Sequence, residues 1–299
     1  MLGANRRHGM TASVLGIIGG SGVYDVAMDN ARWEHIDSPW GEASDEVRRG
    51  EIAGLPVVFL PRHGRGHVQS PGSINYRANI DVLKRAGVTD LYSLSAVGSL
   101  REELSPGTFV LVDQFIDRTF AREKSFFGRG CVGHVSFAHP VSPGLQDIAQ
   151  KALAAEGIAH ARGGTYVAME GPQFSTLAES HLYRSWGAAV IGMTNMPEAK
   201  LAREAEIPYC TIAMVTDYDS WMESHGSVDA GKVIAVMQAN SGHAKRLVGR
   251  IAQEFPRLHP ACVIGADRAL DHAILTAPDH RDPALLARLD AVAGRVLRG

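Results

Sequence analysis

Short unbroken apolar runs alternate with longer stretches of helical periodicity along most of this chain. Runs at residues 14–18, 88–94, 108–116, 165–170 and 210–215, bounded by Gly, Pro or Asp, read as buried strands. Two further strand-like runs between residues 46 and 61 flank the turn Ala53-Gly54-Leu55-Pro56. Helical patterns cover 75–86, closed by Gly87, then 143–156, a segment opened by the capping-box pair Thr176 and Glu179 and ending near Trp186-Gly187, and 229–255. Residues 190–221 read as strand, helix, strand, with Met193-Thr194-Asn195 closing the first strand and Asp217-Tyr218-Asp219 the second. Strands alternating with helices predict an α/β fold, in which ligands collect outside the carboxyl ends of the strands.

Two regions depart from this rhythm. Residues 117–140 form a long irregular stretch carrying Phe120, Phe126, Phe127, His134 and His139, a composition that suits a lid, an interface or simple packing onto the core. After Pro256 and Pro260 the tail is rich in Ala, Leu and Arg and predicts helical pieces at 267–275 and 283–297. The organisation expected is a disordered leader over 1–13, a body over 14–255 and a helical tail of unassigned role over 256–299.

Composition narrows the class. The 299 residues are 45% hydrophobic, enough for one large α/β core, and the formal net charge of −2 offers no electrostatic case for nucleic acid or an anionic membrane. Cys131, Cys210 and Cys262 form an odd set without CxxC spacing, which argues against a disulfide framework and a zinc site and fits a reducing cytoplasm. No run approaches membrane length. His63 and His67 have HxxxH spacing, but the glycines between them argue against a metal-binding helix, so no metal is expected.

The candidate chemistry sits at strand ends. Gly19-Gly20-Ser21-Gly22 follows the first strand and offers backbone amides and a hydroxyl to an anion, though without P-loop or GxGxxG spacing it reads first as a tight turn. Pro61-Arg62-His63 follows another strand, and an arginine fork matches phosphate oxygens. Ser95-Ala96-Val97-Gly98-Ser99 makes a third small-residue turn. Phe174 sits in a loop at a strand end, where it either stacks on a planar ligand or plugs the core. Asp217 and Asp219, spaced by two after a buried strand, are read as pointing to one side. Paired carboxylates beside an apolar sheet can keep one proton at neutral pH, although Asp is also a common turn residue.

The segments IIGGSGVYD, RHGRGH, INYRANI, VGSLREE, PGTFVLVDQFIDRT, MEGPQFST, RSWGAAVIGMTNMPEAKLAREAE and TIAMVTDYDSW resemble, in order, the blocks of the purine nucleoside phosphorylase superfamily. The resemblance runs from about Leu15 to Phe255 and is nearest to the branch that acts on 5′-methylthioadenosine. It implies a single α/β domain with a mixed, barrel-like sheet flanked by helices, assembled as a homotrimer or dimer of trimers. The implied reaction is phosphorolysis of methylthioadenosine to adenine and 5-methylthioribose 1-phosphate, with phosphate as co-substrate and no cofactor.

Carried over by position, the resemblance assigns phosphate to Ser21, Arg62, His63, Ser95, Ala96 and Thr194, the ribose to Met193, the border of the base to Phe174, and adenine to Asp217 and Asp219 with Thr216 beside them. His134 is expected to reach the site of a neighbouring subunit. Ser175 stands where guanosine- and inosine-cleaving members have Glu, and Asp217 where they have Asn, which favours adenine. Ala230, where members acting on ordinary nucleosides have His, and Val233 and Ile234 give an apolar lining for a 5′-methylthio group. A phosphorylase for methylthioinosine and a non-catalytic nucleoside-binding protein are the rival readings.

Overall fold

The structure, a computed structural model, describes residues 11–20, 22–222 and 230–297. Its strands are β1 (Leu15–Gly19), β2 (Asp29–Glu34), β3 (Val47–Ile52), β4 (Leu55–Pro61), β5 (Asp90–Ser99), β6 (Phe109–Leu111), β7 (Gln114–Asp117), β8 (His160–Arg162), β9 (Thr165–Ala168), β10 (Val190–Gly192) and β11 (Tyr209–Asp217). The helices are α1 (Tyr76–Arg85), α2 (Pro143–Ala155), α3 (Leu177–Ser185), α4 (Asn195–Glu204), α5 (Ala230–Glu254), α6 (Pro283–Arg288) and α7 (Gly294–Leu297).

Helix starts follow local chemistry. Asn75 caps α1 by accepting from the Ala78 amide, Ser142 caps α2 ahead of Pro143, and Thr176 and Glu179 close a reciprocal capping box on α3. The β3–β4 hairpin turns through Ala53 and Gly54, both at positive φ.

The strands form one mixed sheet in the order β2-β3-β4-β1-β5-β10-β9-β7, with β11 pairing β5 and β6, and β6 pairing β8. The central strand β5 explains the branching. Its first half runs parallel to β1, from Leu15↔Asp90 to Gly19↔Leu94, and its far end runs antiparallel to β10, at Ile191↔Gly98 and Val190↔Ser99. Between Leu94 and Gly98 one neighbour is left and another taken up, while β11 stays paired alongside. This is a topological switch point, where an open α/β sheet makes a crevice. Apolar clusters pack both faces of the sheet, one with α1 and α4, the other with α2 and α5.

Three expectations are corrected. Residues 108–116 are two strands rather than one: the chain breaks at Asp113, which bonds the backbone of Gly164, and passes from the β11 side of the sheet to the β9 side. Residues 95–99 extend β5 instead of turning after it. The tail has no helix over 267–275, only a 3₁₀ turn at Ala266–Arg268, and the expected helix over 283–297 is the two short pieces α6 and α7. It nevertheless packs: Leu270, Ala273, Leu289, Val292 and Ala293 are buried in the cluster that holds α1 and α4. Ion pairs of Arg295 with Glu206 and Asp271, and of Arg85 with Asp290, lie along this junction.

Candidate active site

A cavity of about 900 Å³ opens at the switch point, bounded by the ends of β4, β10 and β11, the middle of β5 and one face of α5. Its polar residues form two groups.

The first group is the acids. β11 shifts register after Val215, and Asp219 follows in a left-handed turn at φ 47°. Asp217 and Asp219 therefore reach one cavity through a bulge and a turn, not through strand alternation. The Asp219 amide donates to Asp217 Oδ1 at 2.8 Å, and Ser180 on α3 donates to Asp219 Oδ2 at 2.5 Å. Burial pushes both carboxyl groups up; Thr216 and the Asp219 amide pull Asp217 back, and the Asp219 charge adds to the rise. Gly98 makes the arrangement fit: a Cβ there would lie 3.0 Å from Asp217 Oδ1 and 3.2 Å from Asp219 Cβ.

The second group of polar residues in the lining is Arg62, His63, Ser95 and Thr194. Arg62 is 1% exposed, and its Nε donates to Glu198 Oε2 at 2.8 Å. Nη2 gives its hydrogens to Ser93 Oγ and Glu198 Oε1, and Nη1 gives one to the Leu94 carbonyl, so one Nη1 hydrogen is left. The fork expected to clasp phosphate is spent on Glu198, because a buried guanidinium needs a permanent counter-charge. Tyr209 donates to Glu198 Oε1 at 2.8 Å, and Asn195 donates to Ser93 and Tyr209, so the whole cluster is buried and interlocked.

His63 Nδ1 lies 2.9 Å from the Gln69 carbonyl and donates to it, which leaves the lone pair on Nε2. Burial, with the Arg62 charge, lowers its pKa to about 4, so the ring is neutral at physiological pH. His67 stacks on it, the ring centroids 4.3 Å apart. Thr194 caps α4 without a side-chain cap bond, and its hydroxyl lies 3.2 Å from that of Ser95.

The family model of the phosphorylase superfamily matches residues 14–253. The chain belongs to the phosphorylase superfamily. Among its members, the S-methyl-5′-thioadenosine phosphorylase of Bradyrhizobium diazoefficiens is 67% identical over 291 residues, covering 97% of this chain and all of that one. That of Cereibacter sphaeroides is 60% identical over 96% of this chain and 99% of its own. The crystal structure of a methylthioadenosine phosphorylase from an antarctic soil metagenomic library superposes with a TM-score of 0.86 at 44% identity, covering 94% of this chain and 99% of that one.

Of the residues expected in a phosphorylase site, the cavity is lined by Arg62, His63, Ser95, Ala96, Thr194, Met193, Phe174, Thr216, Asp217, Asp219, Val233 and Ile234. Phe174 is 43% exposed, so it does not plug the core. Two expected residues do not line it. Ser175 is buried; its hydroxyl lies 3.7 Å from Met169 Sδ, and its side chain also helps hold the Asp219 carboxyl down against burial. His134 lines a separate cavity of about 440 Å³ with Lys200 and Glu204, and takes no part in the main cavity of its own chain. Ser21 lies outside the described residues, as does the side chain of Ala230.

Sequence reading missed Glu198, Asn195 and Ser180. Glu198 bonds Arg62, Ser180 bonds Asp219, and Asn195 holds Ser93 and Tyr209, which brace the Arg62–Glu198 pair. The alternation of Glu198 with apolar neighbours inside a strongly buried α4 was the available signal: a glutamate on a buried helix face needs a cation.

Proposed function

We propose that this chain catalyses phosphorolysis of S-methyl-5′-thioadenosine, releasing adenine and 5-methylthioribose 1-phosphate. The observation that carries the reading is a half-buried acid, Asp217, and a buried one, Asp219, lining the same cavity as an arginine, a histidine and two hydroxyls, in a chain 67% identical to a relative bearing that activity's name. No metal or organic cofactor is invoked.

Phosphate rests against the hydroxyls of Ser95 and Thr194 and the remaining Nη1 hydrogen of Arg62. Neutral His63 presents Nε2 as an acceptor, which suits the single P–OH of hydrogen phosphate. A phosphate oxygen attacks the anomeric carbon with inversion as the glycosidic bond breaks through an oxocarbenium-like sugar. The electron pair of that bond leaves with adenine. Asp217 holds a proton and donates it to the imidazole-ring nitrogen, so adenine departs neutral. General acids of this kind contribute roughly 10²–10⁴-fold. Asp219 orients Asp217 through its amide, and its carboxyl accepts from the exocyclic amino group.

Phe174 borders the base, Met193 the ribose, and Val233 and Ile234 offer an apolar wall to the methylthio group, one that disfavours a 5′-hydroxyl without excluding adenosine. The assembly proposed is a homotrimer or dimer of trimers in which His134 serves a neighbouring site, in the cytoplasm. No helix among the described residues is long and apolar enough to cross a membrane.

The test is a nucleoside panel assayed with and without phosphate. Adenine release from methylthioadenosine that requires phosphate supports the reading; release without phosphate indicates a hydrolase, and preferential cleavage of methylthioinosine would reassign the substrate.

A further inference from the structure

The irregular stretch after β7 delivers one side chain that the reaction scheme above does not use. Arg122 comes from this loop, yet its side chain is only 1% exposed. Its guanidinium is driven into the place where the parallel strands β9 and β10 end. Nη1 donates to the carbonyls of Met193 at 2.6 Å and Met196 at 2.7 Å, and Nη2 donates to the carbonyl of Glu170 at 2.7 Å. Nε donates to Glu170 Oε1 at 2.9 Å, and the Tyr76 hydroxyl lies 3.0 Å from Nη1.

The loop is held in return. Glu170 Oε2 accepts from the backbone amides of Phe120 at 2.6 Å and Ala121 at 3.2 Å. A loop arginine thus binds the carbonyls of the strand ends, and a strand-end glutamate binds the amides of the loop. The clasp is closed by the ion pair between the two side chains.

These carbonyls belong to segments that line the cavity. Met193 and Thr194 follow β10, while Met169 and Phe174 flank Glu170 after β9. Inside the sheet β9 and β10 are locked in register, from Val190↔Tyr166 to Gly192↔Ala168. Beyond Gly192 the ladder stops, and the planar fork of Arg122 supplies the cross-link that the backbones no longer make. The Met193 side chain also packs over Gly171, where a Cβ would lie 2.5 Å from its sulfur.

We infer that Arg122 is a positioning residue for phosphorolysis: it fixes the Met193-Thr194 segment, which meets ribose and phosphate, relative to the Glu170-to-Phe174 segment, which meets the base. The inference rests on the reaction proposed above. Arg122 touches no reacting atom and acts through the backbone it holds. A displacement of reacting groups by about 1 Å costs on the order of 10²-fold in rate, whereas among the described residues the carboxyl groups of Asp217 and Asp219 are hydrogen-bonded to Thr216, Ser180 and the Asp219 amide and not to the clasp.

The test compares wild type with Arg122→Lys, which keeps the charge and the stem but loses the fork. Turnover of methylthioadenosine with phosphate and the affinity for adenine alone are both measured. The expected result is a kcat at least ten-fold lower with an adenine Kd within about three-fold of wild type. A smaller fall in kcat, or loss of adenine affinity in parallel with turnover, overturns the inference in favour of a purely structural role. Should Arg122→Lys fail to fold, Glu170→Gln is read in the same way: a kcat at least three-fold lower with adenine affinity kept supports the clasp, and any other outcome overturns it. Failure of wild type itself to release adenine in the presence of phosphate counts against the proposed reaction and not against the clasp.

Discussion

Thr216 Oγ1 lies 2.8 Å from Asp217 Oδ2 and 3.1 Å from the Val97 carbonyl, and its single hydroxyl hydrogen serves only one of them at a time. With Asp217 ionised, Thr216 donates to the carboxylate. With Asp217 protonated, Thr216 turns to Val97 and its oxygen is free to accept the acid's own hydrogen. The hydroxyl thus accommodates the acid before and after it gives up its proton.

Removing that hydroxyl has a signed consequence. Thr216 is one of the groups holding the Asp217 pKa down against burial, so Thr216→Val raises it further. The alkaline limb of the pH–kcat profile, where Asp217 deprotonates and the acid is lost, moves to higher pH. Turnover at the optimum falls about ten-fold as the acid loses its alignment and proton-transfer driving force, and Thr216→Ser restores both. Steady-state pH profiles of the two variants check this.

The Arg62–Glu198 pair makes a prediction about stability. Both side chains are almost fully buried, so Glu198→Ala strands a guanidinium in the core. The cost is about 3–5 kcal/mol, read as a lower midpoint in urea. Arg62→Met combined with Glu198→Met recovers most of that stability but not activity, because the phosphate wall has lost its cation.

How far the sequence reveals this molecule depends on which surfaces carry the pattern. β1, β4 and β11 are buried almost throughout, and their unbroken apolar runs stand out. β2 is exposed along most of DNARWE and β8 is the three-residue HAR, so neither has an apolar run to find. The extension of β5 through Ser95–Ser99 is hidden for another reason. Small residues there read as a turn, whereas Gly98 is small because Asp217 and Asp219 crowd it. Arg62, His63, Thr194, Asp217 and Asp219 stand at or just after strand ends and were legible from them. Glu198, Ser180 and Arg122 were not, since each acts through a contact with a residue distant in sequence.

Glu204 gives a pH-dependent prediction remote from the main cavity. Its carboxylate accepts from Ser125 Oγ at 2.7 Å and the Phe126 amide at 2.7 Å, yet burial dominates and raises its pKa to about 7. A raised carboxyl contributes stability that is fully present below the ordinary carboxylate range and is lost as pH rises through about 7. Glu204→Gln keeps both partners, with its amide nitrogen donating to Ser125 Oγ, and cannot ionise. The variant should match wild type near pH 4.5 and exceed it at pH 8 by on the order of 2–3 kcal/mol. Urea unfolding at the two pH values checks it.

The account turns on the proton of Asp217, and kcat/KM of Asp217→Asn on methylthioadenosine with saturating phosphate is its most direct test. Asn preserves the size of the side chain and both neighbouring contacts but has no acidic proton to give. The predicted result is a loss of at least 10²-fold with phosphate KM unchanged. A variant within a few-fold of wild type would contradict the account.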